Sequence, residues 1–415
     1  MLIFTLFLSY LYLFYSLNKR NLYFKLCYSI PIFLHLSYTI FGNILNISYN
    51  HARFPSFLNT DKSLQALIYT NIIFVLTTYL FSFRFYNLST YRLNLTDFKL
   101  KKWKLINIYL VLLISLTISY LTSSTNFIWV ASYGGSNYRY DPIIPGIFWK
   151  ILVSFILTFL FLVSKNSKHK LTSSIILFSA FFIYMGRGDR GGFLPLWITY
   201  MFLVLFEKKY VLFLFLTLAT VYFVVFWSPF RSTLYSFGLY ESVIYSHNQF
   251  LDFIDIDGYI NYYNYYLFPL LPQSVWHWHH SFNLYNTGNI LGFKPFFNIL
   301  LQIFPNFIFN IFGYERPLNL AWKLAEFRTH GGGMFHLAGA YWSLGFLGVF
   351  IWSFLVNLWL NFIEKKLKPD SLIKFVFYFI LAGSCFYTIF YGWQPFIKLC
   401  VIILLIDIIV SWIKK

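Results

Sequence analysis

The sequence predicts an all-α, polytopic integral membrane protein of about eleven transmembrane helices. Three observations lead there. Only 11% of the 415 residues are charged, against about 25% in soluble globular chains. Hydrophobic residues make up 59%, and the mean hydropathy is +0.62. The apolar residues also fall into runs near the roughly 20 residues a bilayer-spanning helix needs, with basic residues in alternate connections.

The runs are 2–17, 22–45, 64–83, 105–122, 147–164, 171–186, 192–206, 211–228, 335–361, 373–391 and 396–412. The first lacks a basic leading region and a small-x-small site before Asn18-Lys19-Arg20, so it reads as a span rather than a cleavable signal. Orientation follows from the basic connections: Lys19/Arg20/Lys25, Arg84 to Lys104, Lys165/Lys168/Lys170, Lys208/Lys209, Lys365 to Lys374, and Lys414/Lys415. These share one side, which the charge rule makes the inside. The N-terminus is then outside and the C-terminus inside. The formal charge of +18 is therefore a topology signal, and no nucleic-acid partner is expected. Cys27, Cys385 and Cys400 fall in apolar stretches with no CxxC, so no disulfide framework is expected.

Three regions result: an N-terminal bundle over 1–228 with about eight helices, a large outer loop over 229–334, and about three further helices over 335–415. The segment 296–312 inside the loop could pass for a span. Asn298, Gln302, Asn306 and Asn310 give it one polar stripe and Pro305 predicts a kink, which suits a helix lying in the outer interface. A twelfth span there would also put Lys365 to Lys374 outside.

Two segments could carry chemistry. The first is Tyr184-Met-Gly-Arg-Gly-Asp-Arg-Gly-Gly192, a tight outer turn. Its glycines let the backbone approach a ligand. Arg187 and Arg190 could hold a phosphate pair in bidentate fashion, with Asp189 orienting one of them. Alternatively they anchor to lipid headgroups. The second segment closes the long loop: Arg328-Thr-His330-Gly-Gly-Gly-Met-Phe-His336-Leu-Ala-Gly339-Ala-Tyr341. Arg328 could stabilise a leaving diphosphate and His330 act as general base. His336, Gly339, Ala340 and Ser343 fall on one close-packed or cavity-lining face. Arg139 and Arg231 are further outer-side binding candidates, and Tyr341 another. The run Trp276-His-Trp-His-His280 completes no recognised zinc spacing and reads as an aromatic interface belt. Asp252 to Gly258 fails the calcium-loop pattern. No metal and no cofactor is expected.

This constellation resembles the bacterial O-antigen polymerase family (Wzy-type oligosaccharide repeat-unit polymerases). Gly186-Arg187-Gly188-Asp189-Arg190 looks like the family's mid-chain Gly-x-Arg segment. Arg328 and Gly339 resemble its Arg-x(10)-Gly spacing. Ala338 to Gly348 is similar to its "Ala-Glu-Ala-Tyr-x-Asn-Phe-Gly-x-x-Gly" segment, with Gly339 where that pattern has Glu and Ser343 where it has Asn. The resemblance implies a type-C glycosyltransferase-like fold in the bacterial inner membrane. The N-terminus would be periplasmic and the C-terminus cytoplasmic. It implies lipopolysaccharide biosynthesis: undecaprenyl-diphosphate-linked glycans as substrates, joined at the periplasmic face, and a chain-length-regulating partner. Arg187, Arg190, Arg328 and His330 would be catalytic; Asp189, Arg231, Arg139, His336 and Tyr341 would bind substrate. Two neighbouring readings share these features: a glycan ligase using the same donor, and a lipid-linked oligosaccharide flippase. The long loop at 229–334 argues against the flippase. A polytopic acyltransferase would need an inner-face His/Asp cluster, which the sequence does not offer.

Overall fold

The computed structural model describes residues 2–20, 22–44, 49–51, 54–57, 61–83, 209–254, 270–301, 320–325 and 334–366, with single positions and stretches of two or three residues elsewhere between 197 and 408. Its elements are α1 (Leu2–Lys19), α2 (Tyr23–Ile44), a short antiparallel pair β1 (Tyr49–His51) and β2 (Phe54–Phe57), α3 (Asp61–Phe83), α4 (Tyr210–Ile254), α5 (Leu270–Asn286), α6 (Lys294–Leu301), α7 (Leu320–Ala325) and α8 (His336–Lys366). Among the described residues, four helices are long and apolar enough to cross a membrane: Leu2–Lys19, Phe24–Ile44, Asp61–Ser82 and His336–Glu364. They coincide with four of the expected runs, and this is the architecture of a helical membrane protein.

The runs at 105–122, 147–164 and 171–186 lie outside the described residues, and those at 192–206, 373–391 and 396–412 largely so. The run at 211–228 is helical, but the helix does not stop there. It continues through Pro229 and Arg231 to Ile254, with a break at Gly238. Hydropathy falls after Trp227 while helical backbone persists, so the apolar signal ended before the helix did.

The chain forms two compact units. One holds Met1–Tyr91, Phe268–Lys368 and Ser384–Lys415; the other holds Arg92–Leu267 and Pro369–Gly383. In the first unit α8 packs mainly on α3 and α5, and α1 on α2. α1 shows why. Leu6, Tyr10, Leu13 and Leu17 recur at helical spacing and are buried, whereas Leu8, Leu11, Tyr12 and Tyr15 are exposed.

Apolar packing alone distinguishes poorly between helix and lipid, so polar contacts set the register. Tyr10 donates from its hydroxyl to Asn71 Oδ1 at 2.6 Å, joining α1 to α3. Asn357 on α8 donates to Thr78 Oγ1 on α3 at 3.1 Å. Such interhelical bonds contribute about 0.6 kcal/mol each on average, and at most about 1.7.

One end of the unit is held by charge. Arg20 donates to the Ser82 carbonyl at 3.0 Å. Lys25 Nζ donates to Ser82 Oγ at 3.0 Å. The Lys25 backbone N–H donates to Glu364 Oε1 at 3.1 Å. Glu364 on α8 thus occupies the first turn of α2, where helical N–H groups lack intrahelical partners and a negative charge is favoured. The sequence counts Lys25 among the basic residues of the connection between the first two runs. In the structure it lies in that first turn and is 1% exposed.

These contacts fix direction. The C-terminal ends of α1, α3 and α8 meet the N-terminal end of α2, so three helices run parallel and α2 runs against them. In a membrane, α3 and α8 running the same way requires an odd number of crossings between them. α6 is eight residues long, about 12 Å at 1.5 Å per residue.

Removing Glu364 would leave Lys25 buried without its carboxylate. Breaking one partner of a buried pair costs about 3–5 kcal/mol, whereas replacing both with apolar groups is often neutral. Glu364→Ala should lower the thermal midpoint of the detergent-purified protein sharply, and Lys25→Met combined with Glu364→Leu should restore most of it. Equal midpoints for wild type and Glu364→Ala would remove the charged latch from this account.

Candidate functional site

The second motif of the sequence ends in the best-described part of the structure, the start of α8. Glycines and small residues let this segment sit deep among α2, α5 and α7. A Cβ on Gly339 would lie 3.2 Å from Met334 Cε and 3.3 Å from Leu320 Cδ1. Every residue from Met334 to Ser343 is buried.

The backbone entering α8 is held at each step. The Phe335 N–H donates to His277 Nδ1 at 3.2 Å. The His336 N–H donates to the Ile389 carbonyl at 3.2 Å. The Trp393 indole donates to the His336 carbonyl at 3.4 Å. The His35 ring lies over the Phe335 ring with centroids 4.1 Å apart.

The His336 side chain is fully enclosed. Its Nδ1 is 3.0 Å from the Tyr28 hydroxyl, and that same oxygen accepts from the Trp352 indole at 2.9 Å. Indole N–H can only donate. The Tyr28 hydroxyl therefore bridges Trp352 on α8 and His336 at the start of the same helix. Nε2 makes no hydrogen bond within 3.5 Å, although the Gly392 backbone lies close by. The chain Trp352 to Tyr28 to His336 ties the imidazole to α2 through Nδ1. In this arrangement His336 anchors the start of α8 to α2.

About two turns further on, α8 breaks. Leu344 and Gly345 leave helical geometry, Gly345 with φ +61°. That conformation favours glycine, and a Cβ there would also meet the Tyr285 hydroxyl at 2.6 Å. The break frees the Ser343 carbonyl, which accepts from the Gly292 N–H at 2.9 Å. Gly348 faces the Ala340 carbonyl with no room for a side chain. Both glycines of the motif's second half thus have a backbone reason.

Tyr341, expected to bind substrate, is buried among Trp278, Tyr285 and Phe346, with ring centroids 5.1, 5.2 and 5.4 Å away. Tyr341 and His336 are both buried in this structure. The arginines are another matter. Arg139, Arg187, Asp189, Arg190, Arg328 and His330 lie outside the described residues, and Arg231 is placed only as helical backbone in α4. The structure therefore brings His336 and Tyr341 together on one helix and does not place the rest relative to them.

The Trp276–His280 run needs correction. It was expected as an interface belt, but Trp276, His277 and Trp278 are buried in α5. The Trp278 indole donates to the Ser63 carbonyl at 3.1 Å, and Trp276 stacks on His280 at 4.9 Å. Burial, with His280 beside it, holds His279 down to about 4, so this imidazole is neutral at pH 7. Tyr28, His35 and Trp352 were not singled out from sequence; single polar or aromatic residues in apolar runs give no local sign of their partners. Among the described residues no group of three His, Cys, Asp or Glu side chains could hold a metal ion. No protein-family model, curated protein or solved structure matches the chain.

Tyr28→Phe removes one hydroxyl and strands two buried groups, the Trp352 N–H and His336 Nδ1. Each unsatisfied buried group costs about 1–3 kcal/mol. The variant should therefore melt several degrees lower than wild type in detergent. A Tyr28→Phe protein as stable as wild type would mean that these hydrogen bonds do not hold α8.

Proposed function

We propose that this protein is an O-antigen polymerase, a glycosyltransferase that joins undecaprenyl-diphosphate-linked oligosaccharide repeat units at the periplasmic face of a bacterial inner membrane. One observation carries the reading: two Arg-bearing glycine segments, Gly186–Gly192 and Arg328–Gly339, occur in a chain dominated by apolar spans. The second segment runs into Ala338–Gly348, the stretch similar to the family pattern. Its glycines and its tyrosine occupy positions of close packing, as a pattern of small residues beside an aromatic requires.

The chemistry follows from the residue types. The donor is a glycan chain on a lipid diphosphate, and the acceptor is a single lipid-linked unit. A hydroxyl oxygen of the acceptor forms a bond to the donor's anomeric carbon. The bond from that carbon to the diphosphate oxygen breaks, and the lipid diphosphate leaves with the electron pair. Arg187, Arg190 and Arg328 neutralise the departing charge, which guanidinium groups do by paired hydrogen bonds. His330 takes the hydroxyl proton. Asp189 orients an arginine, while Arg139 and Arg231 hold acceptor or lipid phosphate. His336 and Tyr341 hold the start of α8, the helix that follows the Arg328–His330 segment in sequence.

Lys substitution keeps the charge and loses the fork. In a deletion strain complemented with Arg187→Lys, Arg190→Lys or Arg328→Lys, at least one variant should lose the long-chain lipopolysaccharide ladder at normal protein level. Core carrying one repeat unit should remain. A full ladder from all three would remove the diphosphate clamp. A deletion leaving bare core would point to the ligase or flippase reading instead.

A further inference from the structure

We propose that the loop Thr287–Phe293 and helix α6 form a membrane-contact surface, seated in the outer acyl–headgroup boundary of the bilayer and level with the break in α8. The inference is independent of the polymerase reading and rests on where the hydrocarbon layer crosses the fold.

The charged end of the unit, at Lys25, Ser82 and Glu364, marks one boundary. From there about twenty residues at 1.5 Å each traverse a hydrocarbon layer of roughly 30 Å. Counted back along α8, that distance ends at Leu344, where the helix breaks. Counted back along α3 it ends at Lys62, beside Asp61, both exposed. The two counts agree with the register of the helices, because Asn357 sits beside Thr78 and Asn361 beside Phe81. Exposure changes at the same level. Residues 336–343 of α8 are buried, whereas Phe346, Phe350, Phe354, Leu358 and Phe362 form an exposed apolar row beyond the break.

The segment after α5 is tied to that level. The Gly292 N–H bonds the Ser343 carbonyl, and the Trp342 indole donates to the Asn289 carbonyl at 2.7 Å. α6 then lies with Phe296 turned inward onto Trp393, ring centroids 5.3 Å apart. Its other side carries Phe293, Phe297 and Leu301 at four-residue spacing, 52, 70 and 46% exposed, with Ile290 before them. Large apolar side chains on one side of a short helix, whose leading loop is bonded to α8 at its break, fit a helix lying in the interface. Lys294, exposed at the start of α6, reaches headgroup phosphate by its flexible stem.

The test uses the full chain in nanodiscs of phosphatidylethanolamine and phosphatidylglycerol. Spin labels are placed singly by Phe293→Cys, Phe297→Cys, Lys294→Cys and Phe354→Cys, with the signal of the unsubstituted protein subtracted. Collision with oxygen reports lipid, and collision with a water-soluble nickel chelate reports solvent. Labels at 293 and 297 should favour oxygen several-fold, as 354 does and 294 does not. Nickel access at 297 equal to that at 294 would overturn the proposal, as would a label at 297 shielded from both reagents.

Discussion

Buried polar groups in an apolar bundle must find partners, and where they find them decides how α2, α3 and α8 sit. Lipid competes with apolar side chains for the same contacts, so apolar burial does little to choose one register over another. The Tyr28 hydroxyl between Trp352 and His336, the Asn71 amide under Tyr10, and Glu364 over the first turn of α2 are therefore the discriminating contacts. Each joins positions far apart in the chain. Together they set three helices parallel and one against them, with the start of α8 enclosed on every side.

That enclosure explains the composition of α8. A segment threaded between α2, α5 and α7 has room for glycine at 339 and 348, and its turn at 345 needs a left-handed residue. The motif glycines are thus first a statement about backbone approach. The break at Gly345 has a second effect, because the freed Ser343 carbonyl holds the Gly292 N–H and with it the chain leading to α6. One local irregularity joins the interior of the bundle to its outer rim.

The parts of this structure legible in the sequence are those written in long local runs. The expected spans at 2–17, 22–45, 64–83 and 335–361 match α1, α2, α3 and α8 within a few residues at most termini. What escaped was information held by pairs. Lys25 looks like any basic residue at a helix start until Glu364, 339 positions away, is seen against its N–H. His35 and Tyr28 look like ordinary members of an apolar run. The Trp276–His280 run looked like a membrane belt because indole and imidazole suit an interface, yet α5 turns three of those rings into the protein. Hydropathy also ended α4 too early, since Pro229 and Arg231 lower it without ending the helix. For the candidate site, the glycine pattern of 339–348 was readable, and the imidazole network that holds it was not.

The proposed polymerase activity joins that scaffold to the two arginine segments. α8 supplies a fixed point six residues after His330, and the chemistry proposed there is a transfer between two lipid-linked glycans with departure of a lipid diphosphate. The most direct measurement places the purified protein in liposomes containing lipid-linked repeat units and no other enzyme. The account predicts glycans of two, three and more units still attached to lipid, with one undecaprenyl diphosphate released for every bond formed. Repeat units that stay single, whether they cross the bilayer or remain where they were, would contradict it.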